Sequence, residues 1–191
     1  YDLFLDLTPE FNQPPSQLRQ DRSAWHNMKR MSPEQLAKWR SHYGPKDKAF
    51  HEAKLTGKDL VRWKFQRYAK NYLRCVKGVD ESVDNLQKTL KNLGLDKNTI
   101  VIYSSDQGFY VGDHGWYDKR WMFEESLKMP FLVRWPGHVK PGTRCEKLIQ
   151  NIDYAPTFLD VAGLEVPLEV QGKSLVPVLE RPETAKWRDA V

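Results

Sequence analysis

The sequence predicts an α/β fold, and three observations carry that prediction. A β-branched apolar run, Ile100-Val101-Ile102-Tyr103, reads as a buried strand. A long amphipathic stretch precedes it: Tyr72, Val76, Val79, Val83, Leu86, Leu90 and Leu93 fall at spacings of four and three, one face of a helix. A second apolar run, Phe131-Leu132-Val133, follows after a polar, glycine-rich loop. Helix, tight turn and buried strand make half of a βαβ unit.

The elements are read in order. Residues 1–31 are extended or irregular, punctuated by Pro9, Pro14 and Pro15. Residues 32–94 are helical. Ser32-Pro33-Glu34-Gln35 has the layout of a capping box with Pro at the first helical position. That helix is expected to stop near Tyr43, before Gly44-Pro45, and a second short helix to span Lys46 to Thr56. The long helix covers Lys58 to Leu93, with Gly78 a weak point and Gly94 the stop. Its apolar face is expected to pack on the strand that follows; a coiled coil is the alternative. Residues 99–135 hold the strand Thr99–Ser104, the polar loop, a short helix or turn within Arg120–Leu127 and the strand Phe131–Trp135. Residues 136–191 close the chain. Pro136-Gly137 and Pro141-Gly142 make turns, and Asn151-Ile152-Asp153 caps a helix from Tyr154 to Ala162 ended by Gly163. A further turn or short helix lies near Leu175–Leu179, while Arg181 to Val191 gives no pattern.

Bulk properties narrow the function. With 191 residues the chain is long enough for one substantial core. No apolar run reaches the roughly 18 residues that a spanning helix requires. A net charge of +5 is made of 30 basic residues mixed with 25 acidic ones, which suits a solvated surface or an anionic ligand. No basic stripe interleaved with aromatics is present, so no nucleic-acid or membrane partner is expected. Cys75 and Cys145 lack zinc spacing and are read either as two buried thiols or as a disulfide. The first residues carry neither an initiator Met nor a signal-peptide layout, so the chain is expected to be a piece of a longer one.

The loop between the strands carries the candidate chemistry. In open α/β sheets ligands bind beyond the carboxyl ends of strands. There stand Asp106 and Gln107, a carboxylate and an amide oxygen suited to a hard cation such as calcium, or equally to a helix cap and a turn. His114, in Gly112-Asp113-His114-Gly115, is a candidate proton donor, anion contact or metal ligand, or a structural turn residue. Lys119 is a point charge fit for a tetrahedral oxyanion, or a solvated lysine. Glu124 and Glu125 diverge as helical neighbours, which favours capping or ion pairing over a general acid–base pair.

Taken together, these motifs are more specific. The run Tyr103-Ser104-Ser105-Asp106-Gln107-Gly108-Phe109, then Gly112-Asp113-His114-Gly115-Trp116, Lys119-Arg120, Phe123-Glu124-Glu125-Ser126 and Arg134-Trp135-Pro136-Gly137 closely resembles the sulfatase family of the alkaline phosphatase superfamily. Asn151-Ile152-Asp153-Tyr154-Ala155-Pro156-Thr157 and Gly172-Lys173-Ser174-Leu175 match its following segments, and Tyr68 to Val83 is similar to the long helix of bacterial glycan-type sulfatases. The resemblance runs from about Tyr43 to Leu179.

The resemblance implies part of a three-layer α/β/α fold, with residues 1–191 the C-terminal portion of a sulfatase catalytic domain. It implies hydrolysis of sulfate monoesters on a sulfated small molecule or glycan, in a periplasmic or secreted setting. It places Asp106 and Gln107 as ligands of Ca2+, Lys119 on the sulfate group and His114 on the substrate. Related metallophosphatases usually carry Asp-His where this chain has Asp106-Gln107; the oxygen of Gln107 favours calcium and a sulfate ester over zinc or manganese. One family feature is missing. Sulfatases make a formylglycine nucleophile from Cys/Ser-x-Pro/Ala-x-Arg, but Cys75 is followed by Val-Lys-Gly-Val and Cys145 by Glu-Lys-Leu-Ile, and no serine fits. The nucleophile is therefore expected upstream, no catalytic residue is assigned in this chain, and residues 1–191 alone are expected to be inactive. The alternatives are a phosphodiesterase or phosphonate monoester hydrolase of the same superfamily, or a non-catalytic fragment.

Overall fold

The computed structural model describes residues 29–115, 119 and 121–190. The chain divides into two compact units, residues 1–81 with 108–128 and residues 82–107 with 129–191. Each is taken by itself. The extended reading of residues 1–31 lies mostly outside the described residues; Lys29 and Arg30, both good helix formers, are helical rather than extended.

The first unit is built on a helical hairpin. Helix α1 spans Pro33–Ala53 as one element, where a break at Gly44-Pro45 was expected. Its start is as the sequence predicts: Ser32 and Gln35 exchange side-chain and backbone bonds at 2.9 and 3.2 Å. Pro45 inside it forfeits a backbone bond, a defect of about 3 kcal/mol or more in isolation. Helix α2, Gly57–Asn92, holds the defect in place by packing alongside. Phe50 stacks on Trp63 at 4.0 Å, Arg67 pairs with Asp47 at 2.8 Å, and the same guanidinium lies over the Tyr43 ring at 4.8 Å. The core of this unit is small: Val61, Phe65 and Tyr110 are buried. Gly112 has φ +108°, and a Cβ there would lie 2.5 Å from the Phe65 ring, so glycine alone fits between α2 and the loop.

Helix α2 runs unbroken through Gly78 and ends as predicted. Gly94 turns left-handed at φ 68°, with Leu95 N–H on the Leu90 carbonyl at 2.9 Å. Its apolar stripe does not pack as expected. Val76, Val79, Leu86 and Leu93 are 42–65% exposed, while Tyr72, Val83 and Leu90 of the same stripe are half-buried.

The second unit carries the sheet. Strands β1, Val101–Ser104, and β2, Phe131–Arg134, pair antiparallel, with Ile102 opposite Val133 and Tyr103 opposite Leu132. The buried-strand expectation fails here: β1 is half-buried and Leu132 is 64% exposed. A strand patterned for apolar cover on both faces has a single neighbouring strand among the described residues. Beyond β2 come turns at Gly137 and Gly142, a 3-10 turn at Asn151–Asp153, helix α4 at Tyr154–Val161 and helix α5 at Val176–Glu180. Helix α3, Glu124–Leu127, belongs to the first unit.

The core of the second unit is tied by a buried acid. Asp153 is fully buried and accepts from the backbone N–H of Gln150 (2.8 Å) and Lys173 (2.9 Å). Its two oxygens also take a bidentate pair from Arg188 at 2.6 and 2.7 Å. Its side chain thus closes the 3-10 turn and does not cap α4, as the sequence reading had it. Cys75 and Cys145 are both free and exposed, neither buried nor bridged. No helix among the described residues is long and apolar enough to cross a membrane.

Candidate functional site

The predicted residues fall in two groups, one in each unit. Asp106 and Gln107 sit in the second, on the turn leaving β1; His114 and Lys119 sit in the first.

The β1 turn is built from serines. Ser105 Oγ accepts from the Gln107 N–H at 3.4 Å and donates to Asp106 Oδ1 at 3.3 Å, a local closure that leads the chain off the strand. Ser104 Oγ donates to the Pro130 carbonyl at 3.0 Å and shares a 2.6 Å bond with the Tyr154 hydroxyl. The Asp106 carbonyl accepts from Asn151 Nδ2 at 3.0 Å. Asp106 is exposed, and among the described residues it has no ion-pair partner. Its carboxylate and the Gln107 amide are hard oxygen donors, correct in kind for calcium. They are two of the six to eight oxygens such an ion takes. Among the described residues no group of three His, Cys, Asp or Glu side chains converges as a metal site.

In the first unit, helix α3 clamps the loop at two points. The Gly108 N–H bonds to the Ser126 carbonyl at 2.7 Å, and Ser126 Oγ donates to the Lys119 carbonyl at 2.5 Å. A Cβ on Gly108 would lie 2.1 Å from the Glu125 carbonyl oxygen, so the backbones touch. This anchoring leaves the Lys119 side chain exposed, an ammonium with no ion-pair partner among the described residues on a fixed backbone.

His114 is held by three neighbours. It lies in a 3-10 turn, Asp113–Gly115, at φ 55°, a left-handed conformation unusual for a residue with a Cβ. Its ring stacks on Phe123 at 4.7 Å, meets the edge of Tyr110 at 6.1 Å and bonds through Nε2 to Glu125 Oε2 at 3.1 Å. Tyr110 is itself pinned, its hydroxyl donating to the Trp121 carbonyl at 2.9 Å. The Glu125 carboxyl is held below its usual range, first by its own backbone N–H and, against the opposing effect of burial, by the bond and charge of His114. An imidazole fixed this way presents its other nitrogen in a set direction.

The sequence reading left Glu125 to capping or ion pairing and named no partner; the structure pairs it with His114. That reading also missed Asn151 and Tyr154 as supports of the turn after β1, reading Asn151 only as part of a cap. No local signal marks these contacts, which join residues 45 and 50 positions apart.

Comparison with known proteins follows from this geometry. Residues 112–191 match the family model described as N-sulphoglucosamine sulphohydrolase, C-terminal. The chain is 46% identical over 164 residues to the N-acetylglucosamine-6-O-sulfatase of Bacteroides thetaiotaomicron, covering 85% of this chain and 29% of that protein. It superposes with TM-score 0.81 and 43% identity on the structure of BT4656 in complex with its substrate D-glucosamine-2-N,6-O-disulfate, over 91% of this chain and 36% of that one. The phosphonate monoester hydrolase of Silicibacter pomeroyi superposes with TM-score 0.63 and 30% identity, over 71% of this chain and 26% of the other. The chain thus spans 26–36% of the length of these three relatives.

Proposed function

Because this chain belongs to the sulfatase family and carries part of its alkaline-phosphatase-like α/β fold, we propose that the enzyme containing it hydrolyses a sulfate monoester on a sulfated glucosamine. The observation that carries this reading is the 43% identity over 91% of the chain to a structure that binds D-glucosamine-2-N,6-O-disulfate.

The chain's own residues have definite parts in it. The Lys119 ammonium bonds to the non-bridging oxygens of the sulfate group and offsets charge that grows on them during S–O cleavage. His114, braced by Glu125 and Phe123, orients the substrate on the leaving-group side. Asp106 and Gln107 would hold a Ca2+ ion through their carboxylate and amide oxygens. When bound, that ion supplies positive charge to the sulfate oxygens. The nucleophile, a formylglycine in this reading, comes from outside these 191 residues, since none of them lies in Cys/Ser-x-Pro/Ala-x-Arg.

The phosphonate monoester hydrolase likeness gives one competing reading, the same scaffold turned to phosphorus esters. Gln107 speaks for sulfate: an amide oxygen is a poorer ligand than imidazole for the softer metals that serve phosphate chemistry. The test is turnover by the full-length protein of glucosamine 6-O-sulfate against a phosphodiester and a phosphonate monoester of matched leaving group. A sulfate-ester preference is expected. Dominant phosphorus-ester turnover would overturn the reading.

A further inference from the structure

We infer that Asn151 is a positioning residue for the cation side of the site, presented to the Asp106–Gln107 turn by a corner that the Asp153–Arg188 pair locks. The inference rests on the proposed calcium role of Asp106 and Gln107.

The geometry runs outward from the turn. Asn151 Nδ2 donates to the Asp106 carbonyl at 3.0 Å, and because that partner is a pure acceptor, the amide orientation follows. This bond fixes the peptide plane joining Asp106 to Gln107. The plane sets the direction in which both oxygen-bearing side chains leave the turn. Three residues on, Tyr154 holds the start of the same turn, its hydroxyl 2.6 Å from Ser104 Oγ and its ring stacked on Phe131 of β2 at 5.5 Å. One corner, residues 151–154, therefore grips the turn at Ser104 and at Asp106.

The corner is itself fixed. Asp153 is fully buried and gathers bonds from Gln150, Lys173 and, twice, Arg188. The backbone at Ile152 is pressed against Gly172, where a Cβ would lie 1.9 Å from the Ile152 carbonyl oxygen. Asn151 meets the turn at a backbone carbonyl and Tyr154 meets it at the Ser104 hydroxyl. Their effect acts through the ligands, in the way that partners behind metal ligands tune a site.

The test uses the metal-stripped full-length protein, titrated with calcium chloride by calorimetry, with the fold checked by circular dichroism. Asn151→Ala is expected to weaken calcium binding by about tenfold or more, within the usual range for such supports. Its kcat is expected to recover when calcium is raised to saturate the weakened site, which a general loss of structure would not allow. Tyr154→Phe keeps the ring stack, loses only the hydroxyl and is expected to weaken binding by a smaller factor; it serves if Asn151→Ala does not fold. Asp106→Ala is run in parallel. If Asp106→Ala abolishes binding while Asn151→Ala and Tyr154→Phe leave affinity unchanged, the positioning inference is overturned and the calcium reading stands. If Asp106→Ala also leaves affinity unchanged, the calcium reading itself falls.

Discussion

Replacing Arg188 with Met probes the most buried charge in the described structure. Asp153 has no exposed surface, and the Arg188 side chain is 13% exposed. Met matches much of the arginine stem but leaves the carboxylate with two backbone N–H donors, from Gln150 and Lys173. Removing one partner of a buried pair leaves an uncompensated charge and costs about 3–5 kcal/mol. That is a large share of the roughly 5–15 kcal/mol that holds a typical domain together.

The pH dependence carries the sharper test. In the native protein burial alone would raise the Asp153 pKa, yet the Arg188 hydrogen bonds, the Lys173 and Gln150 N–H groups and the Arg188 charge outweigh it. The net shift is downward from 3.8. A depressed carboxylate pKa contributes stability that is present above the unfolded value and lost as pH falls through the folded one. In Arg188→Met both Arg188 contributions are gone, and burial, the largest contribution, faces only the Lys173 and Gln150 N–H groups, so the folded pKa is expected to rise above the unfolded one. The variant's deficit is then full at neutral pH and shrinks as the pH approaches 4, where protonation relieves the stranded acid. Urea denaturation of the full-length protein and variant, followed from pH 7 down to 4, reads both quantities. A deficit below about 1 kcal/mol, or one that stays constant across this range, would refute the argument.

Two further outcomes follow from single positions. Gly172→Ala drives a Cβ into the Ile152 carbonyl oxygen, a backbone atom that cannot swing away, and is expected to destabilise by about 1–3 kcal/mol, read as a lower Tm. Lys119→Ala removes an exposed ammonium that no fold contact uses and is expected to leave Tm unchanged while lowering kcat on a sulfate ester by about 100-fold or more; steady-state kinetics showing wild-type kcat would remove Lys119 from the site.

What the sequence alone determined was local. Capping at Ser32, the unbroken run of α2, the stop at Gly94 and the two strands all follow from patterns within a few residues, where propensity and turn chemistry decide. The candidate residues Asp106, Gln107, His114 and Lys119 could be singled out for the same reason, since they lie within one short stretch. Tertiary structure decided the rest. Pro45 stays helical because α2 packs beside it, and the pattern of α1 carries no record of that partner. Arg188 stood in a stretch with no readable pattern, yet it neutralises an acid 35 positions away. His114 gains its bearing from Phe123 and Glu125 across a loop, and Asp106 from Asn151, 45 positions on. Long-range pairs of this kind depend on how the backbone returns, and the spacing of residues along one segment holds no trace of it.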